Sequence, residues 1–150
     1  MPAAAMIVFP AALLRQVMTA AEAAYPEECC GLLVGQGEAE IEICQVIQSP
    51  NVAADESGAP RRRDRFEVDP ELRFHVMRET EGTGRRIVGH YHSHPDHPPK
   101  PSAHDLESAL EPEFVWVIVA VDKGRAGPAS AHLLDPAAQR FREIPLIVRG

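Results

Sequence analysis

An α/β domain is the fold class this sequence predicts, and three observations predict it. Segments that read as strands, at Met6 to Phe9, Cys30 to Val34, Ile41 to Ile47, Ile87 to His94 and Phe114 to Val121, are interleaved with segments of helical spacing. The chain has 150 residues, the length of a single domain over 1–150, which can bury roughly 68–70% of its unfolded surface. With 45% hydrophobic and 25% charged residues, the composition excludes a collagen, a coiled coil and a disordered chain.

The elements follow in order. Met6 to Phe9 reads as a strand. Pro10 stands where a helix begins, since its fixed φ suits the first turn, and Leu13, Leu14, Val17, Met18 and Ala21 continue at helical spacing up to Tyr25-Pro26. Two strands, Cys30 to Val34 and Ile41 to Ile47, flank the hairpin signal Gly35-Gln36-Gly37 and suggest an antiparallel start. Ser49 to Arg65, polar and carrying Arg61-Arg62-Arg63, reads as a long exposed loop, of a length usually functional or disordered.

Phe66 to Val68 is extended. Asp69-Pro70 caps and opens a helix through about Glu79, closed by Gly82-Thr83-Gly84. Ile87 to His94 reads as a buried strand running into the proline-rich stretch Pro95 to Pro101, which continues neither sheet nor helix. Ser102 caps a short helix, Ala103 to Leu110. Phe114 to Val121 is a wholly apolar strand for the centre of the sheet, and Ser130 to Leu134 and Phe141 to Val148 supply the last strands.

Composition also narrows function. A formal charge of -7 argues against general nucleic-acid binding, which relies on Lys and Arg to neutralise phosphates. The longest apolar run, Phe114 to Val121, is eight residues, far short of the ~20 that span a membrane. Ala3 to Leu14 has the apolarity of a signal-peptide core but lacks a preceding Lys or Arg and is interrupted by Pro10. Three cysteines, Cys29, Cys30 and Cys44, form no disulfide framework and no C-x-x-C metal pair, so reduced thiols in a cytoplasmic compartment are expected.

Five of the seven histidines, His90, His92, His94, His97 and His104, fall within fifteen residues. His92 and His94, two apart on a strand, leave the same face and can converge on one ion. Asp105, on the first turn of the following helix, can return as an oxygen ligand. Two imidazoles and one carboxylate with an open position form a recurring catalytic metal set. His-x-His alone is a weak signal, since polar loops also collect histidines; the preceding strand, the following Pro95 and the Ser102 to Asp105 helix start strengthen it.

The strings Gly89-His90-Tyr91-His92-Ser93-His94-Pro95 and Pro101-Ser102-Ala103-His104-Asp105 resemble the H-x-H-P and S-x-x-D signature of the JAMM or MPN-plus metalloproteases. Glu28-Cys29-Cys30-Gly31 is similar to that family's E-x-C-G motif, and Asn51-Val52 and Phe66 to Pro70 resemble its bacterial branch. The resemblance implies a mixed β-sheet flanked by helices, similar to cytidine deaminases. It implies Zn²⁺ held by His92, His94 and Asp105, Glu28 as general base and acid, and Ser102 as oxyanion donor. It further implies hydrolysis of a peptide or isopeptide bond at the C-terminus of a ubiquitin-like or sulfur-carrier protein.

Glu27 is the rival of Glu28, and the Cys30-Gly31 frame favours Glu28. Ser102 is also a plain helix cap. His90 reads as packing or as a neighbour of the ligands, His97 and His104 as exposed, and Cys30 as a small core residue. The 49–65 loop is either a solvated charged segment or a cover for a substrate tail. Two other readings stand beside the peptidase: a non-catalytic MPN-type scaffold, which generally lacks the ligand set, and a non-haem Fe(II) oxygenase built on a two-histidine, one-carboxylate triad.

Overall fold

The strand from Val115 to Asp122 lies in the middle of an eight-stranded sheet and is buried along almost its whole length. Up to Val121 it has the apolar, largely β-branched composition that requires cover on both faces. In the computed structural model, which describes residues 4–135, 137 and 139–150, the elements run β1 (Met6–Pro10), α1 (Ala11–Ala24), β2 (Cys30–Gln36), β3 (Glu40–Ser49), α2 (Pro70–Thr80), β4 (Arg86–Pro95), α3 (Ala103–Ser108), β5 (Val115–Asp122), β6 (Arg125–Asp135), β7 (Arg140–Ile144) and β8 (Leu146–Arg149). The spatial order is β7-β6-β5-β4-β2-β3-β1-β8. β4 pairs antiparallel with β2 and parallel with β5, so the sheet is mixed as expected.

The expected hairpin forms between β2 and β3, with Gly35 and Gln36 still in β2 and the turn at residues 37–39, where Gly37 takes the left-handed φ of 101° that a tight turn needs. β1 nevertheless joins β3 in parallel, so only the hairpin itself is an antiparallel start. Pro10 ends β1 and α1 begins at Ala11. The segment from Ala3 to Leu14, apart from Ala3, which lies outside the described residues, is thus strand and helix start. No helix among the described residues is long and apolar enough to cross a membrane.

The predicted strand from Phe141 to Val148 is two strands. Pro145, with no N–H to give a ladder, breaks the run; β7 pairs with β6 at one edge and β8 pairs in parallel with β1 at the other. Strands one residue apart in the chain therefore occupy opposite edges, and the sheet must curl to bring those edges together. The Pro145 carbonyl accepts from the Ile7 amide at 3.0 Å across this closure. α3 ends at Ser108, two residues before the expected Leu110.

The two faces carry different helices. Val17 and Ala21 of α1 pack against Ile7, Phe9, Leu33, Ile43, Tyr91 and Val117 in the main core. Val76 of α2 packs with Leu32 and Val34 on the opposite face. Asp69 caps α2 as expected, its Oδ1 accepting from the Glu71 amide at 3.0 Å. Because Leu32 pairs with His90 and Cys30 with His92, the β4 histidines project on the α2 face.

Gly31 marks a close approach beneath this site. A Cβ there would collide with the Ile47 carbonyl oxygen and the Tyr91 ring. Gly31→Ala should lower unfolding free energy by about 3 kcal/mol, the upper range for overpacking a core. Urea denaturation measures it, and an unchanged midpoint would show that the strands yield.

Candidate metal centre

β4 aims His92 and His94 at one point because alternate residues of a strand share a face. Asp105 arrives from the far side of the proline-rich turn. Its position is set by a capping box at the start of α3: Ser102 Oγ accepts from the Asp105 amide at 3.0 Å, and Asp105 Oδ2 accepts from the Ser102 amide at 2.8 Å. All three side chains are buried.

His92 Nε2 and His94 Nε2 stand 3.1 Å apart, and Asp105 Oδ2 lies 3.2 Å from His94 Nε2 and 3.4 Å from His92 Nε2. Ligand atoms 2.0–2.2 Å from an ion at tetrahedral angles stand about 3.3–3.6 Å apart. The triangle therefore fits a small divalent cation, and among the described residues it is the group of His, Cys, Asp and Glu side chains positioned for a metal ion. His94 supplies a further sign of fit: its Nδ1–H donates to the Pro98 carbonyl at 2.9 Å, which leaves the Nε2 lone pair facing the triangle.

Electrostatics agree with the geometry. Burial opposes ionisation of Asp105, but the close imidazoles of His92 and His94 and the hydrogen bond from the Ser102 amide outweigh it and hold this carboxyl well below the usual carboxylate range. Burial lowers the His92 pKa against the opposing pull of Asp105, which favours the neutral imidazole that ligates metals. His92 is stacked on Phe66 with ring centroids 4.0 Å apart.

Glu28 stands beside this triangle. Cys30 pairs with His92, so Glu28, two residues earlier, continues on the same face, while Glu27 turns away and lies 3.7 Å from Arg62 in an ion pair. The Glu28 side chain is buried and its Oε1 has no hydrogen-bond partner among the described residues. Burial first, then the charges of Asp105 and Asp64, push its carboxyl up to about 9, against the pull of Arg65. Such a group, desolvated in a cleft beside a ligand triangle, has the character of a catalytic acid or base.

Both main-chain polar groups of Glu28 are held by the 49–65 segment, which is ordered by its own hydrogen bonds rather than simply solvated. The Glu28 amide donates to the Arg62 carbonyl at 2.6 Å, and its carbonyl accepts from Asn51 Nδ2 at 2.9 Å. Asn51 also donates to the Arg65 carbonyl and accepts from the Ala53 and Glu67 amides. No periodicity marks such a residue; the family resemblance at Asn51-Val52 singled it out without giving its part. Asn51→Ala should cost about 2 kcal/mol, because it leaves partly buried backbone groups without partners, with metal content unchanged. Urea unfolding and elemental analysis check both parts.

The remaining histidines separate as expected, with one refinement. His90 packs edge-on against Trp116, Phe66 and Phe114 and stands outside the triangle. His97 is exposed, but His104 is half-buried because it lies between two clefts. One cleft, of about 400 Å³, is lined by Glu28, Asp64, Arg65, His94, Lys100 and Ser102. The other, of about 500 Å³, has Phe66, Val68, Trp116 and His90 in its wall and shares Arg65 and His104 with the first. Cys30 is fully buried, as expected of a core residue, and all three cysteines are free.

The chain is similar to known proteins along most of its length. Residues 10–133 match the family described as prokaryotic homologs of the JAB domain. A desampylase of Haloferax volcanii is 35% identical over 123 residues, 82% of this chain and 79% of that protein. A desampylase of Pyrococcus furiosus is 27% identical over 121 residues, 81% of this chain and 76% of that one. A solution structure from Desulfitobacterium hafniense superposes with a TM-score of 0.80 at 23% identity, covering 96% and 93% of the two chains. A JAB1/MPN domain protein of Archaeoglobus fulgidus shares the fold with a TM-score of 0.56 at 18% identity, covering 96% and 97%.

Proposed function

This chain belongs to the family of prokaryotic homologues of the JAB domain, and from that premise we propose that it is a zinc-dependent isopeptidase. Its substrate is the peptide or isopeptide bond at the C-terminus of a ubiquitin-like or sulfur-carrier protein. The observation that carries the reading is the buried Glu28 carboxyl, whose Oε1 has no partner among the described residues, beside the convergent Nε2, Nε2 and Oδ2 atoms of His92, His94 and Asp105. The similarity to two proteins named desampylase supports this reading. Three free thiols support a cytoplasmic setting.

His92, His94 and Asp105 would hold the ion, three protein ligands with an open fourth position being the catalytic pattern for zinc. Bound there, zinc would polarise the scissile carbonyl and lower the pKa of water to about 7. Ionised, as a cation bound beside it would favour, the Glu28 carboxylate takes the proton of the attacking water and returns it to the leaving amine. Ser102 Oγ accepts from the Asp105 amide and keeps its own hydrogen available, so it donates to the oxyanion that forms on the carbonyl. Capping and catalysis therefore use different sides of one hydroxyl.

Glu28 opens onto the cleft of about 400 Å³, so the leaving amine sits there. The acyl side, the extended tail of the carrier, lies in the neighbouring aromatic cleft. Carrier proteins extended at the C-terminus by a single amino acid, or joined to a lysine side chain, test the proposal. The zinc-loaded protein should cleave at least one of them and a chelator should stop it; no cleavage of any with zinc bound would overturn the reading.

A further inference from the structure

We propose that Ser130 and His132 of β6 form a positioning relay that aims the His94 imidazole and carries the chain on to Asp105, an inference that rests on the metal-site reading above. Neither residue has a part in the mechanism, yet both are buried polar side chains on the metal-facing side of the sheet. The register explains their place: Ile118 of β5 lies between His92 and Ser130, and Trp116 lies between His90 and His132. Residues opposite one another across adjacent strands share a face.

The hydrogen-bond directions can be worked out. The Pro99 carbonyl can only accept, so the close contact from Ser130 Oγ is an O–H donated to it. With its hydrogen committed, the Ser130 oxygen accepts from His132, whose Nε2 lies 2.7 Å away and so carries the proton. Burial lowers the His132 pKa, against the opposing charge of Glu143, in keeping with a neutral ring. The order is His132 Nε2–H to Ser130 Oγ–H to Pro99 carbonyl.

This relay meets the metal triangle through one peptide unit. The Pro98 carbonyl receives His94 Nδ1–H at 2.9 Å and the Lys100 amide at 2.8 Å. The adjoining Pro99 carbonyl is held by Ser130. Prolines 98, 99 and 101 have no N–H, so carbonyls are the main handles by which this turn is fixed. Among the described residues the Ser130 hydroxyl, with the His132 ring beside the same Pro99 carbonyl, tethers the turn to β6. In the chain, the Pro99 that it holds stands between Pro98, which orients the imidazole, and Ser102 of the capping box that delivers Asp105. Outer partners that orient a ligating histidine are typically worth 10–100-fold in metal affinity.

The test is zinc affinity of the full chain, by competition with a chromophoric chelator, together with the visible spectrum of the Co²⁺ form. Ser130→Ala should weaken zinc binding about tenfold and shift the Co²⁺ bands, Ser130→Thr should restore both, and His132→Phe should give a smaller loss of about threefold. Thermal midpoints of the metal-free proteins report general damage, which would not be repaired by threonine in the Co²⁺ spectrum. Wild-type affinity and spectrum in Ser130→Ala would overturn the relay while leaving the metal site intact. If Ser130→Ala does not fold, unchanged affinity in His132→Phe overturns it. A wild-type chain that binds no metal would overturn the site and the relay together.

Discussion

Glu28→Gln should lower turnover about 10³-fold, within the range for general acid–base groups, while the protein keeps its metal. Glutamine matches the shape of glutamate but cannot take and return a proton. The same substitution should stabilise the metal-free chain above neutral pH. Folding raises this carboxyl from its ordinary 4.5 to about 9. Between those values the folded chain keeps a proton that the unfolded chain has released, so stability falls as pH rises through that window. Glutamine removes this slope. The metal-free variant should match wild type near pH 4.5 and exceed it by several kcal/mol at pH 8. Urea unfolding in chelator at the two pH values measures the difference; parallel curves would mean that the carboxyl is not buried in solution.

Replacing His92 by Phe should abolish stoichiometric metal, whereas His90→Phe should retain it. Both histidines project from one face of β4 and both pack against aromatic rings, so phenylalanine preserves the stacking at each position. Of these two, His92 is the one that belongs to the ligand triangle, with its Nε2 3.4 Å from Asp105 Oδ2. The loss at His92 should exceed the roughly 10–100-fold expected for a partner that only orients a ligand. Elemental analysis of the two variants after an identical chelator wash decides it. Equal metal in both would remove His92 from the site.

Much of the site was legible because its signals are local. The spacing of His92 and His94 is a strand period, Pro95 ends that strand, and Ser102 with Asp105 is a helix-cap pattern; none of these needs knowledge of distant residues. Asp69-Pro70 and the Gly35 to Gly37 hairpin signal are local in the same sense. Phe141 to Val148 was not, because one proline in an apolar run does not say that the halves part to opposite edges. That outcome depends on the curl of the whole sheet. The part of Asn51 was equally hidden: its partners lie at Glu28, Ala53, Arg65 and Glu67, and only the folded loop assembles them. The choice of Glu28 over Glu27 rested on a motif, and its physical reason is the pairing of Cys30 with His92.

The central claim is that one divalent ion sits among His92, His94 and Asp105. Anomalous diffraction at the zinc edge, from crystals of the zinc-loaded chain, tests it most directly. A single peak about 2.0–2.2 Å from His92 Nε2, His94 Nε2 and an Asp105 carboxylate oxygen is the expected result, with the Glu28 carboxyl facing the open position. A peak elsewhere, or none in protein shown to contain zinc, would contradict it.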